Sequence, residues 1–220
     1  MNAHVDNIRL FLDEHELDGL LIKSKTMKRY LGTLTGSGCK VLITRDCGFL
    51  IMDGRYVNEA QDCESDLEFR VHEQGTSYLV ELERALRECG CTSLGIEESE
   101  ISISEYRNLE GLGFGITLLG SEMALMRLRK DEAEIAAVQH AVDVADDVYA
   151  KTIERLHVGM TEFEISALVH YYSIAAGAEA MSFDTIVATG ERSAMPHGRP
   201  TDRRIQAHEP ILIDFGVQIN

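Results

Sequence analysis

Gly190-Glu-Arg-Ser-Ala-Met-Pro-His-Gly-Arg-Pro200, followed shortly by Ile211-Leu-Ile-Asp-Phe-Gly216, is the stretch that decides the fold of this chain. The second piece is an apolar strand with a carboxylate inside it, and the first is a loop punctuated by glycine and proline that carries a histidine. Strand alternation puts Ile211, Ile213, Phe215, Val217 and Ile219 on one face. Leu212, Asp214, Gly216, Gln218 and Asn220 fall on the other, so Asp214 sits on the polar side with a glycine leaving room beside it. A carboxylate embedded in a core-forming strand is costly unless a cation, a metal or several donors meet it. A solvated face is the plainer alternative, and the strand alone leaves both open.

Upstream of this stretch, Phe183 to Thr189 is a β-branched run leading into the loop. Asp131 to His157 reads as one long helix with Ile135, Val138, Val142, Ala145, Tyr149, Ile153 and Leu156 on a single face. Its first turn carries Asp131, Glu132 and Glu134, which suits the positive end of a helix dipole. Gly159 stops it, and Thr161-Glu-Phe-Glu164 is a capping box opening a second helix to about Ala176.

The first half has a different texture. Residues 2–16 are an amphipathic helix by the spacing of Ile8, Phe11, Leu12 and His15. Strands are expected at Leu20 to Ile22, Cys39 to Thr44, Phe49 to Met52, Phe69 to His72, Leu94 to Glu97 and Ile116 to Leu119. Arg45-Asp-Cys-Gly48 reads as a tight hairpin between two of them. Helices are expected at Tyr56 to Cys63, Tyr78 to Glu88 and Ser104 to Leu109, the last with a serine cap ahead of Glu105. Interleaved strands and helices are an α/β signature, and the change of texture places a boundary near residues 122–128.

Composition narrows the classes. The chain has 220 residues, 45% apolar and 26% charged, an ordinary soluble mixture. A net charge of −16 argues against a nucleic-acid or anionic-membrane partner, because phosphates are bound by clustered Lys and Arg. No apolar run approaches the ~18 residues of a membrane span. Met1-Asn-Ala-His-Val-Asp6 has neither the basic nor the apolar region of a secretory signal, so the cytoplasm is the expected location. Cys39, Cys47, Cys63, Cys89 and Cys91 form no CxxC pair and read as reduced thiols.

Several motifs fail. Gly111-Leu-Gly-Phe-Gly115 precedes a strand instead of joining a strand to a helix, so it is not a dinucleotide loop. Asp214-Phe-Gly216 lacks the glycine-rich loop, lysine and HRD sequence of a protein kinase. Neither GxSxG nor HExxH occurs.

What remains resembles the creatinase/prolidase type of metallopeptidase, in particular Xaa-Pro dipeptidases and Xaa-Pro aminopeptidases. Leu17-Asp-Gly-Leu-Leu-Ile22, Tyr30-Leu-Gly-Thr-Leu-Thr-Gly36 and Asp53-Gly-Arg-Tyr56 are similar to the N-terminal domain of that family. Met126-Arg-Leu-Arg-Lys-Asp-Glu-Ala-Glu-Ile135, Gly159-Met-Thr-Glu-Phe-Glu-Ile165, Ser182-Phe-Asp-Thr-Ile-Val-Ala-Thr-Gly190, Met195-Pro-His-Gly-Arg-Pro200 and Leu212-Ile-Asp-Phe-Gly216 are similar to successive signatures of its catalytic domain. The resemblance implies an α/β N-terminal creatinase/prolidase-like domain at 1–124. It also implies, at 125–220, the first half of an α+β pita-bread domain, whose curved antiparallel sheet holds two divalent metal ions.

By the same resemblance Asp214 is the first metal-binding aspartate, and His197 approaches the scissile amide and stabilises the tetrahedral intermediate by hydrogen bonding. Phe183 is a candidate for lining the substrate cavity, with a plain core role as its alternative. Mn²⁺ is the expected metal, with Co²⁺ or Zn²⁺ as alternatives, since oxygen-rich ligation suits all three. Two such ions about 3.5–4 Å apart can turn a bridging water into hydroxide at neutral pH. A proline-containing peptide substrate and a homodimer are also implied. Arg55 and Tyr56 are expected to cap or pack a turn, and His140, His157, His170 and His208 to be ordinary.

One departure is large. In that family a second metal-binding Asp follows the first by roughly ten residues, and a His and two Glu come later. With the sequence ending at Asn220, four of the five expected ligands are absent. The expectation is therefore that the intact protein is the peptidase and that these 220 residues alone are inactive. The alternatives are a non-catalytic binding or dimerisation module of the same fold, and a creatinase-like amidinohydrolase acting on a small amide.

Overall fold

The computed structural model describes residues 3–63, 65–73 and 75–219, arranged in two compact units, Met1–Arg129 and Lys130–Asn220. Asn220, expected on the polar face of the last strand, lies outside the described residues.

In the first unit the strands are β1 (Gly19–Ile22), β2 (Lys40–Thr44), β3 (Gly48–Asp53), β4 (Glu68–His72), β5 (Ser93–Glu97) and β6 (Gly115–Leu119). They form one sheet in the order β4-β3-β2-β1-β5-β6, with β2 antiparallel to both neighbours and every other pair parallel. Helices α1 (Ala3–Glu14), α2 (Lys25–Tyr30), α3 (Val57–Gln61), α4 (Leu79–Glu88), α5 (Ile103–Glu110) and α6 (Glu122–Leu125) complete it. The central strands are apolar without interruption because both faces of the sheet are covered. Leu20 and Ile22 join Ile8, Leu12 and Met123 on one side, while Leu21 joins Leu82, Leu86 and Leu109 on the other. The cap of α5 is Ser102, whose hydroxyl accepts from the Glu105 N–H; a start at Ser104 would have left that donor of the first turn without a partner.

Asp18 ties the start of β1 to that of β5. Its carboxylate accepts from the Thr92 N–H at 2.8 Å, the Thr92 hydroxyl at 2.8 Å and the Ser93 N–H at 3.0 Å. The Thr92 N–H is the largest influence, and these donors outweigh burial to bring the pKa down to about 2. A folded value below the ordinary 3.8 means stability that is complete above about pH 4 and is lost as pH falls toward about 2. Asp18→Asn is expected to cost on the order of 1 kcal/mol at pH 7, after allowance for partial exposure, with the difference from the parent vanishing near pH 2. Urea denaturation of both proteins across that pH range measures it.

The second unit holds α7 (Glu132–Arg155) and α8 (Glu162–Ala175), followed by β7 (Ala180–Met181), β8 (Ile186–Thr189), β9 (Ile211–Asp214) and β10 (Val217–Gln218). Asp131 and Thr161 each close a capping box, with Glu134 and Glu164 as reciprocal partners. The strand expected from Ile211 onward is split: β9 pairs antiparallel with β8 and β10 with β7. Its apolar stripe survives the split, since Ile213, Phe215, Val217 and Ile219 all pack on Val144, Val148 and Val169 of the two helices.

The buried residues of α7 are Val144, Val148 and Thr152, with the two valines under these strands, and of the stripe singled out from the sequence Leu156 packs on the cluster of Ile165 and Val187. Ile135, Val138, Val142, Tyr149 and Ile153 of that stripe are exposed. Both sets recur at helical spacing, so periodicity alone could not say which one the ribbon would cover.

Candidate functional site

Register settles which side chains share a face of the β8–β9 ribbon. Ile186 pairs with Asp214, Val187 with Ile213, Ala188 with Leu212 and Thr189 with Ile211. Directly paired residues point to the same side, so Ile186, Ala188, Leu212 and Asp214 lie on one face. Val187, Ile211 and Ile213 lie on the other, against Ile165 of α8. Asp214 therefore points away from the helices, as the alternation implied.

Asp214 is exposed, and its carboxylate makes no hydrogen bond or ion pair with any described residue. The buried-acid form of the expectation is corrected by this: Asp214 is exposed at its end of the polar face, the solvated alternative that the strand left open.

Two further predicted residues come to the same face. A Cβ placed on Gly216 would meet Phe183 Cε1 at 3.2 Å and would collide with the Ser182 hydroxyl, so the Phe183 side chain leans over the backbone beside Asp214. Phe183 is 45% exposed in this chain. The residue after His197 is Gly198, which is buried; its Cβ position would lie 3.1 Å from the Ala188 Cβ. The His197 loop thus crosses the face that carries Asp214, two residue pairs along the ribbon, and the His197 side chain is exposed there. Arg199 reaches to 3.6 Å from Asp184, so this loop and the Phe183 segment also approach each other. That exposed pair contributes little energy, but it records the proximity.

The loop is held by a group that the sequence reading passed over. Glu162, the first residue of α8, is fully buried, and its two oxygens accept from five donors around residues 189–201. Burial works to raise its pKa, but the Thr201 hydroxyl, Thr189 and the Arg192 cation together bring it below the usual carboxylate range. The available signal was an acid at the first helical position just inside the Thr161 cap. That stretch reads from the sequence as a capping box between Thr161 and Glu164, which gives Glu162 no part of its own. Arg203 and Glu209 form a bidentate pair at 2.6 Å on the far arm of the same loop, and Arg203 also donates to the Thr189 hydroxyl at 2.6 Å.

The remaining residues behave structurally. Arg55 folds back on Asp53, at 3.0 and 2.8 Å, and holds that carboxyl at about 2. The Tyr56 ring fills the space that side chains at Gly36 and Gly38 would need. His170 Nε2 is 2.9 Å from the Thr185 hydroxyl, tying α8 to the segment ahead of β8.

As a metal centre the face is partial. Among the described residues Asp214 belongs to no group of three or more His, Cys, Asp or Glu ligand atoms. One carboxylate fits a single ligand position and does not by itself hold a pair of divalent ions.

Comparison with known proteins places these features in context. Residues 4–130 match the creatinase/prolidase N-terminal domain model, and residues 136–220 match that of metallopeptidase family M24. A Xaa-Pro dipeptidase of Pyrococcus horikoshii is 31% identical over 228 residues, covering 98% of this chain and 60% of that protein. The solved structure of a Xaa-Pro dipeptidase from Bacillus anthracis superposes with a TM-score of 0.89 at 28% identity, over 98% of this chain and 60% of that one. An X-Pro aminopeptidase structure from Thermotoga maritima gives 0.86 at 31% identity, over 92% and 59%. The chain thus spans about 60% of the length of the curated relatives it matches.

Proposed function

The chain belongs to the creatinase/prolidase family, with the N-terminal domain and a partial M24 metallopeptidase domain, and from this premise we propose that the intact protein hydrolyses the Xaa-Pro peptide bond in a metal-dependent reaction. The observation that carries the proposal is the convergence of Phe183, the His197 loop and Asp214 on the open face of the β8–β9 ribbon.

Each residue has work suited to its chemistry. The exposed Phe183 ring offers an apolar surface to the proline ring. His197, an imidazole on an exposed loop, donates a hydrogen bond to the oxygen that gains charge at the scissile carbonyl. An amide preceding proline has no N–H, so its recognition rests on that oxygen, the ring and the peptide termini. Asp214, paired with no cation among the described residues, contributes one oxygen ligand to the metal site, with the other ligands supplied elsewhere in the intact protein. Two ions, Mn²⁺ ahead of Co²⁺ and Zn²⁺, suit the oxygen-rich ligation expected there. The five exposed apolar residues along α7 support the reading that more protein packs on this unit. A homodimer in the cytoplasm completes the proposal; among the described residues no helix is long and apolar enough to cross a membrane.

The isolation of Asp214 from other ligands favours a second reading for the 220-residue chain taken alone, that of a non-catalytic module. A single assay separates them. The 220-residue polypeptide is expected to show no manganese-dependent release of proline from Ala-Pro or Leu-Pro, and a chain extended to the length of the relatives is expected to show it. Turnover by the short chain, or none by the extended one, overturns the proposal. Turnover of creatine by the extended chain without dipeptide cleavage would instead favour an amidinohydrolase.

A further inference from the structure

The His197 loop is suspended from one buried carboxylate. Glu162 Oε1 accepts from the Thr189 N–H at 2.8 Å and the Thr189 hydroxyl at 3.0 Å. Oε2 accepts from the Thr201 N–H at 2.9 Å and its hydroxyl at 2.6 Å. The Arg192 Nε–H lies 3.3 Å from both oxygens. Thr189 ends β8, Arg192 lies in the 3₁₀ turn after it, and Thr201 lies on the returning arm, so Glu162 gathers both ends of the loop.

Arg192 carries the restraint to the histidine. Its Nη2 donates to the Arg199 carbonyl at 2.8 Å, and its own carbonyl accepts from the Met195 N–H at 2.9 Å. The Met195 carbonyl in turn accepts from the Gly198 N–H at 3.2 Å. His197 therefore sits in an arc between Met195 and Arg199 whose two flanks both return to Arg192, and Arg192 returns to Glu162.

We propose that Glu162 is a positioning residue: through Arg192 and Thr201 it holds the His197 loop against the Asp214-bearing face of the ribbon. The catalytic side of this inference rests on the peptidase reading above; the loop geometry does not. The physical argument is one of matching. Every group facing Glu162 is a donor, so an ionised carboxylate satisfies all of them, and an amide of the same shape would turn its own N–H toward donors. A loop freed from this anchor keeps its composition but loses the fixed placement of the imidazole, and displacement by about 1 Å can cost on the order of 10²-fold in rate.

The test has two arms. In the extended enzyme, Glu162→Gln and the milder Thr201→Val are expected to lower kcat for Ala-Pro by about 10- to 100-fold and by about 3- to 10-fold respectively, with KM within about twofold. In a His197→Ala background the same substitutions should cost less than about twofold more, because the group they position is gone. Equal losses in both backgrounds would show a merely structural role and overturn the proposal. In the 220-residue chain, amide hydrogen exchange at Met195 and Gly198 should rise by about tenfold or more in Thr201→Val, with Ile165 and Val169 unchanged. Unaltered exchange at Met195 and Gly198, or a uniform rise through α8, overturns it too. If the extended protein cleaves no Xaa-Pro substrate, the peptidase reading fails while the exchange arm still decides whether Glu162 holds the loop.

Discussion

Asp214→Asn is expected to abolish manganese-dependent cleavage of Ala-Pro by the extended protein, a loss of about 10³-fold or more, and to leave the stability of the unit nearly unchanged. The two halves of this expectation have separate causes. Asparagine offers a neutral amide where an anionic oxygen ligand is needed, and forfeiting that ligand withdraws several kcal/mol of charge stabilisation, about 4 for a 10³-fold loss. The carboxylate is exposed and bonded to no described residue, so its replacement removes no interaction on which folding depends. Substitutions of that kind fall within about 0.5 kcal/mol. Kinetics and calorimetric Mn²⁺ titration test the first half, and urea denaturation of the same preparation tests the second. Retained activity would remove Asp214 from the metal site. A destabilisation of more than about 1 kcal/mol would instead mark it as structural.

The largest effect on stability is expected at Lys28, a lysine only 2% exposed in the first unit. Its ammonium donates to the Gly36 carbonyl at 2.8 Å and the Cys39 carbonyl at 3.1 Å, pinning the turn that leads into β2. Burial lowers its pKa, so the charge is held at a cost, and among the described residues no carboxylate accepts a hydrogen bond from it. Two effects then oppose each other on substitution. Removing the charge recovers its desolvation, while leaving two carbonyls without a donor costs about 1–3 kcal/mol each. The carbonyls win, because bonds from a charged donor are among the strong ones and two of them are lost at once. Lys28→Met keeps the apolar stem and is expected to cost about 2 kcal/mol. Lys28→Ala also forfeits buried methylenes at about 0.8 kcal/mol each, for a total near 4 kcal/mol. Equal destabilisation by the two would show that the stem contributes nothing. A stabilised Lys28→Met would show that the desolvation cost exceeds what the carbonyls return.

Much of this molecule was legible before any coordinates. Leu20-Leu-Ile22 and Phe49-Leu-Ile-Met52 read as strands because both of their faces are buried and tolerate no polar residue. Thr161 and Glu164 announced a helix start because a capping box is a local arrangement, complete within four residues. The alternation around Asp214 placed it opposite Ile213 and Phe215 for the same reason: strand geometry has a period of two wherever the strand runs.

What escaped was whatever depends on a partner distant in the chain. The stripe from Ile135 to Ile153 and the set Val144, Val148 and Thr152 are both sound helical faces, and only the position of the ribbon decided between them. Glu162 looked like any acid in a first helical turn until Thr189, Arg192 and Thr201 folded over it from as far as 39 residues away. Phe183 and His197 were separate suspicions until Gly216 and Gly198, having no side chains, let one lean and the other cross onto the same face as Asp214. By itself the sequence determined the elements, their faces and the family resemblance, because those are properties of neighbours along a chain. The tertiary structure alone decided which faces meet and which carboxylate is buried, because contact and desolvation are properties of neighbours in space.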